Sequence, residues 1–172
     1  FQYAALFDSM TAADNIAFPL REHTDRSEAD IAATVEDLLR RVQLEGRGDR
    51  MPSELSGGMR KRVGIARSLA LEPDILYFDE PTSGLDPVTA AVIEDLIMET
   101  HRDFGYTGLV ITHHWELAQR LASRVALLWR GRIHAIGTPG EFEASHDPII
   151  RGFLDRDPRV LNLPTGPDGQ RA

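Results

Sequence analysis

Apolar residues recur along this chain in two rhythms. Ile31, Val35, Leu38, Leu39 and Val42 repeat at helical spacing with polar residues between them, which predicts a helix that buries one stripe. Ser27, just ahead of it, is a candidate N-cap, and acidic residues follow in the first turn. A second stripe of Val63, Ala66, Leu69 and Ala70 predicts another helix, starting after Gly57-Gly58. Residues 12–20, AADNIAFPL, predict a shorter helix that stops at Pro19. GRGDRMPSE reads as a loop.

The other rhythm is the short unbroken apolar run. DILYFD ends in an acid and reads as a fully buried strand, and GLVIT reads as a second. Between them, Pro87 suits the first helical position of a helix over VTAAVIEDLIMETHR. WELAQRLAS predicts a short helix, and RVALLWRGRIHAIG a hairpin turning near Arg130-Gly131. Pro139 opens a further helix at GEFEAS, and FQYAALF reads as a strand end passing into a loop. Buried strands alternating with helices mean an α/β class with a largely parallel sheet. The stretch before DILYFD has helices without strands, so it reads as a helical subdomain set into that core. From about Arg156 the chain is rich in Pro and Gly with little to bury, and residues 156–172 read as a disordered tail.

Composition narrows this picture only slightly. With 172 residues, 42% of them hydrophobic, the chain supports one real core. No cysteine is present, which excludes disulfides and a cysteine zinc site and fits a reducing compartment. No apolar run is long enough to span a bilayer, and the first residues do not form a signal peptide. The chain begins on Phe1 rather than Met and reads as a fragment starting inside a domain. The net charge of -8 argues against a nucleic-acid partner. The basic cluster Arg60, Lys61, Arg62 and Arg67 runs against that balance and reads as the solvated face of a helix.

Four short stretches carry chemistry. Asp79 and Glu80 end a strand, where ligands of open α/β sheets bind. One such carboxylate can hold Mg²⁺ while its neighbour orients a water for attack on a phosphate. The plain alternative is an Asp that caps the next element beside a surface Glu. In LSGGM, Gly57 and Gly58 allow close backbone approach, Ser56 adds a hydroxyl, and the helix that follows offers unpaired N–H groups to an anion. An ordinary N-cap is the alternative there, as it is for Asp86 before Pro87. ITHH ends the next strand and brings His113 and His114 to the sheet edge of Asp79 and Glu80, where a histidine can hydrogen-bond a terminal phosphate.

In the order Gln2, LSGGM, ILYFDEPTSGLD, ITHH these motifs resemble the ATP-binding cassette (ABC) ATPase family, over nearly the whole chain to about residue 155. The resemblance implies a partial P-loop NTPase-like α/β core over residues 73–155, with a mostly parallel sheet. It also implies an inserted helical subdomain over about 12–72, ending in the signature helix. By the same resemblance ATP and Mg²⁺ are the ligands. Gln2 is a glutamine that contacts Mg²⁺ and senses the transporter, and Asp79 is the metal-holding aspartate. Glu80 is the catalytic glutamate and Ser56, Gly57 and Gly58 form the signature. Ser83 to Asp86 form a loop at the nucleotide, and His113 is the switch histidine, with His114 the weaker match. Trp115 has no family role, and packing is its default reading.

Two departures stand out. Met59 occupies a position where many family members have Gln. The adenine-stacking aromatic and the G-x-x-x-x-G-K-[ST] phosphate loop have no counterpart in the 172 residues. In this family two cassettes pair head to tail, and the signature of one closes over ATP held by the other. The chain thus carries a complete signature and an incomplete nucleotide cradle, and is expected to be inactive alone.

LSGGMRKR and ALFDSMTAADNIAFPL resemble the Mla-type, lipid-trafficking subgroup. That implies a multi-span permease partner and a second ATPase subunit in a head-to-tail homodimer. It further implies an MCE-type lipid-binding component and a peripheral location on the cytoplasmic face of the inner membrane. A non-transport ABC ATPase and a non-catalytic interaction subunit stay open as alternatives. The transported substrate and its direction are not written in these motifs.

Overall fold

The computed structural model describes residues 5–162. They fall into two compact units, divided between His113 and His114.

In the first unit, helices α1 (Ala12–His23), α2 (Glu28–Arg41) and α3 (Gly57–Leu69) pack on one another. Ile16 and Leu20 of α1, Ile31 and Leu38 of α2, and Val63, Ala66 and Leu69 of α3 are almost completely buried. Ser27 caps α2 as its sequence suggests, accepting from the Asp30 N–H. Val42 continues the buried stripe at the C-cap. Pro19 does not end α1, which runs four residues further to His23. An interior proline costs about 3 kcal/mol. Burial of Ile16 and Ala17 before it and of Leu20 after it offsets that cost, and Thr24 closes the helix on the Leu20 carbonyl. Buried Asn15 pins the segment ahead of α1: its Oδ1 accepts from Phe7 N–H, and its Nδ2 donates to the Phe7, Met10 and Thr11 carbonyls.

Strands β1 (Ile75–Asp79) and β2 (Thr107–Ile111) pair in parallel, with Ile75 opposite Thr107 and Asp79 opposite Ile111. Helix α4 (Pro87–Phe104) connects them, with Pro87 at its first position as expected. The sheet departs from the expectation of fully buried strands. Leu76 and Phe78 are buried, and Phe78 lies 6.1 Å from the Tyr106 ring, whose hydroxyl reaches Thr100 and Ile97 of α4. Ile75, Tyr77 and Ile111, however, are each more than half exposed. A parallel sheet is buried throughout only when both faces are covered, and among the described residues one face of this pair is open.

The second unit is built from α5 (Trp115–Leu121), an antiparallel hairpin of β3 (Val125–Trp129) and β4 (Arg132–Gly137), α6 (Pro139–Glu143) and α7 (Pro148–Leu154). The hairpin turns at Arg130 and Gly131, both with positive φ, the conformation a two-residue connection of twisted strands requires. Leu127, Phe142 and Ile150 form the core, with Trp115, Val125 and Phe153 against it. Trp115 stacks on Phe142 at 5.9 Å, so its role within this unit is packing. Residues Pro158–Asn162, expected in an unstructured tail, instead form a 3-10 turn. Gly152 permits this, since a Cβ there would meet Val160 at 2.5 Å.

Candidate functional site

The chain reverses sharply after β1. Glu80 follows Asp79 with φ of 46°, a left-handed backbone that a non-glycine residue adopts only when its surroundings hold it there. Its N–H donates to the Ile111 carbonyl of β2 at 2.9 Å, so the parallel pairing itself sets the turn. The reversal aims the Glu80 carboxylate across the end of β2. There Oε1 accepts the His113 N–H at 3.0 Å and lies 2.6 Å from His113 Nδ1. Oε2 lies 3.4 Å from Thr112 Oγ1. The Glu80 side chain is 15% exposed and that of His113 68%, so the pair has a shielded end and an open end. Asp79, at the strand's carboxyl end, is exposed. Hard carboxylate oxygen in that position suits Mg²⁺, which takes one or two protein carboxylates and keeps several waters.

Two helix N-termini flank this turn in the sequence. Ser56 caps α3, its Oγ accepting from Met59 N–H at 3.2 Å. Gly57 and Gly58 are the first two residues of α3 rather than a lead-in to it. Gly58 is buried, and a Cβ there would clash with Thr89 Cγ2 of α4; at Gly57 the nearest atom would be Leu85 Cδ2, at an ordinary 3.6 Å. Asp86 caps α4: Oδ1 accepts from Val88 N–H and Thr89 N–H at 3.0 Å, and Oδ2 accepts from the Thr89 hydroxyl at 2.5 Å. The Thr89 hydroxyl and N–H hold this carboxyl below its ordinary value. The capping alternative is thus realised at both positions.

Of the other candidates, His113 sits on Glu80, and His114 precedes α5 at the start of the second unit. Gln2 lies outside the described residues.

The basic cluster is not a solvated face. Arg60, Lys61, Arg62 and Arg67 are all partly buried, and each donates to backbone carbonyls. Arg60 reaches Leu55 O, and Arg62 reaches Gln43 O beyond the end of α2. Arg67 donates to Ala5 O at 2.9 Å and lies 5.8 Å over the Phe7 ring. Lys61 Nζ donates to the Glu80 carbonyl at 3.2 Å. Burial pushes the Lys61 ammonium below its ordinary value, while the nearby Glu80 charge acts the other way. Nothing in local spacing distinguishes Lys61, Arg62 and Arg67 from exposed side chains, because their acceptors are distant in sequence.

Residues 1–83 match the family described as "ABC transporter". Over 155 residues the chain is 43% identical to the "Probable ribonucleotide transport ATP-binding protein mkl" of Mycobacterium leprae (strain TN), covering 90% of this chain and 45% of that protein. It is also 43% identical to the "Intermembrane phospholipid transport system ATP-binding protein MlaF" of Escherichia coli (strain K12), covering 90% and 58%. Among solved structures, the dimeric post-hydrolysis state of the ATP-binding cassette MJ0796 bound to ADP and Pi aligns with a TM-score of 0.71 and 30% identity, over 81% of this chain and 61% of that one. The chain spans about half the length of the curated relatives it matches.

Proposed function

Because this chain carries an ABC transporter domain, we propose that the whole protein is an ATP-binding and ATP-hydrolysing subunit of an ABC transporter that energises phospholipid movement across the bacterial envelope. The observation that carries the catalytic part is the contact of Glu80 with His113 at the carboxyl ends of two parallel strands. Glu80 accepts the proton of a water whose oxygen attacks the terminal phosphorus of ATP, as the bond to the ADP oxygen breaks. His113 fixes the Glu80 carboxylate and hydrogen-bonds the departing phosphate. Asp79 and Gln2 would hold Mg²⁺, which would supply charge neutralisation at the phosphates. Ser56 and the first amides of α3 receive the phosphate of ATP bound to a second copy, paired head to tail.

The phospholipid assignment rests on the Met59 signature, on ALFDSMTAADNIAFPL and on the name carried by the E. coli relative; the mycobacterial relative is named for ribonucleotides. With it come a multi-span permease, an MCE-type lipid-binding component and a peripheral position at the cytoplasmic face of the inner membrane. Among the described residues no helix is long and apolar enough to cross a membrane.

The test is Glu80→Gln in the full-length protein. Turnover falls about a hundred-fold or more while ATP binding persists. His113→Ala also cripples hydrolysis, and His114→Ala has the smaller effect. Near-normal turnover in Glu80→Gln refutes the assignment. Calorimetry with MgATP on the 172-residue chain reads a second part of the proposal: with no G-x-x-x-x-G-K-[ST] run it grips MgATP only weakly, and micromolar affinity contradicts this.

A further inference from the structure

Lys61 is the sole lysine among 172 residues; the other basic side chains that carry a fixed charge are all arginine. It stands one turn into α3, after the Ser56-Gly57-Gly58 start, and its ammonium reaches out of the helix to the carbonyl of Glu80. That carbonyl belongs to Glu80, the non-glycine residue of the candidate site whose backbone is left-handed. For a non-glycine residue such a conformation is costly and reverts unless other contacts over-determine it. At Glu80 the restraints are few and identifiable. Ile111 O holds the N–H, while Lys61 Nζ and the Ser83 N–H, at 3.1 Å, hold the carbonyl. The Ile111 and Ser83 contacts are main-chain, arising within the β1–β2 pair and the turn itself. The Lys61 contact alone comes from a side chain, and from another helix.

We propose that Lys61 is a positioning residue for the Glu80 carboxylate, tying the start of α3 to the backbone turn that aims it at His113. Releasing the carbonyl lets the Glu80 φ relax to negative values. The Cα–Cβ bond then swings, and the carboxylate leaves the end of β2. A lysine fits this task because its ammonium is a compact point donor on a flexible stem, able to reach one carbonyl. The arrangement has a further consequence. On the reading of Glu80 and the α3 start given above, on which this inference rests, α3 serves the partner's nucleotide and Glu80 its own chain's. Lys61 is then a direct mechanical link between the two nucleotide sites of a dimer.

The experiment compares Lys61→Met, which keeps the length and removes the donor, with Lys61→Arg and with Glu80→Gln in the full-length protein. In Lys61→Met, kcat falls about ten-fold. KM for ATP stays within about two-fold, and ATP-driven pairing in the Glu80→Gln background is unchanged, because the role proposed for Lys61 lies in the Glu80 turn and not in nucleotide binding. Lys61→Arg restores most of the lost kcat. The proposal is overturned if Lys61→Met turns over like the parent while Glu80→Gln is dead. It is equally overturned if Lys61→Met loses pairing, raises KM and lowers Tm together, since the lysine then only supports α3. If Glu80→Gln itself remains active, the catalytic reading fails and takes this inference with it.

Discussion

Helices α3 and α4 begin in the same unit, each behind a capping side chain, yet their N-termini are chemically opposite. At α4 the amides are spent: Pro87 has none, and those of Val88 and Thr89 both donate to the Asp86 carboxylate. The helix brings its own anion. At α3 the cap is the neutral Ser56 hydroxyl, which takes only the Met59 amide. The amides of Gly57 and Gly58 have no acceptor within the helix, and no negative charge sits at the cap to repel an incoming phosphate. One terminus is closed by its cap and the other is left receptive. This comparison favours Ser56 and Gly57 as nucleotide contacts and counts against Asp86, whose carboxylate is committed to the chain.

The two glycines of α3 divide in the same way. Gly57 has space around its Cα, whereas Gly58 is the surface on which Thr89 packs. The sharpest way to break the comparison is to give α3 the charge that α4 already has. Gly57→Asp in the full-length protein places a carboxylate at the first helical position, where it suits the helix dipole and leaves folding intact. ATP-driven pairing, read by light scattering in the Glu80→Gln background, is lost. Hydrolysis in the otherwise unaltered protein falls about a hundred-fold. If Gly57→Asp still pairs on ATP, the α3 start is not a phosphate receiver.

Gly58→Ala has a smaller effect of another kind. Its methyl group meets Thr89, so stability drops by about 1–3 kcal/mol in chemical denaturation. Thr89→Ser, which removes the clashing methyl and keeps the hydroxyl bound to Asp86, recovers a good part of the loss. No recovery in the double variant would mean that Gly58 is needed for the ligand rather than for packing.

The smallest effect is expected at α4. The Asp86 carboxyl is held below its ordinary value of 3.8, chiefly by Thr89. A depressed folded-state value means that the cap's stabilisation is present above the unfolded value and is lost as pH falls through the lower, folded one. Asp86→Asn is therefore less stable than the parent near neutral pH, and the gap narrows below about pH 4. A urea midpoint difference that stays constant from pH 7 to pH 3 would remove the carboxylate from the explanation. ATP turnover in this variant stays near the parent's.

What the sequence disclosed was local. Ser27 ahead of an acidic turn, Pro87 after Asp86, and the stripe from Ile31 to Val42 are each decided by residues within a turn or two of one another, and each appears in the structure where expected. Pro19 misled because burial of Ile16 and Leu20, contributed by other helices, outweighed a local rule. DILYFD and GLVIT look alike as apolar runs whether one face of a strand is covered or two, so the open side carrying Tyr77 and Ile111 could not be read from them. The candidate site was legible as motifs, and the structure puts His113 against Glu80. The struts behind the motifs were not. Lys61 meets its acceptor 19 positions away and Arg67 meets Ala5 at 62, separations that no periodicity encodes.

The division of the chain at His113 and His114 also sorts its chromophores. Tyr3, Tyr77 and Tyr106 all precede the division, while Trp115 and Trp129 both follow it. Indole emission therefore reports on the second unit alone, through one ring stacked on Phe142 and another whose buried indole N–H has no acceptor among the described residues. Phenol absorbance reports on the first unit, where the Tyr106 hydroxyl is buried against Thr100 and Tyr77 stands in solvent. Without any added label, two wavelengths distinguish whether the units melt together or one after the other.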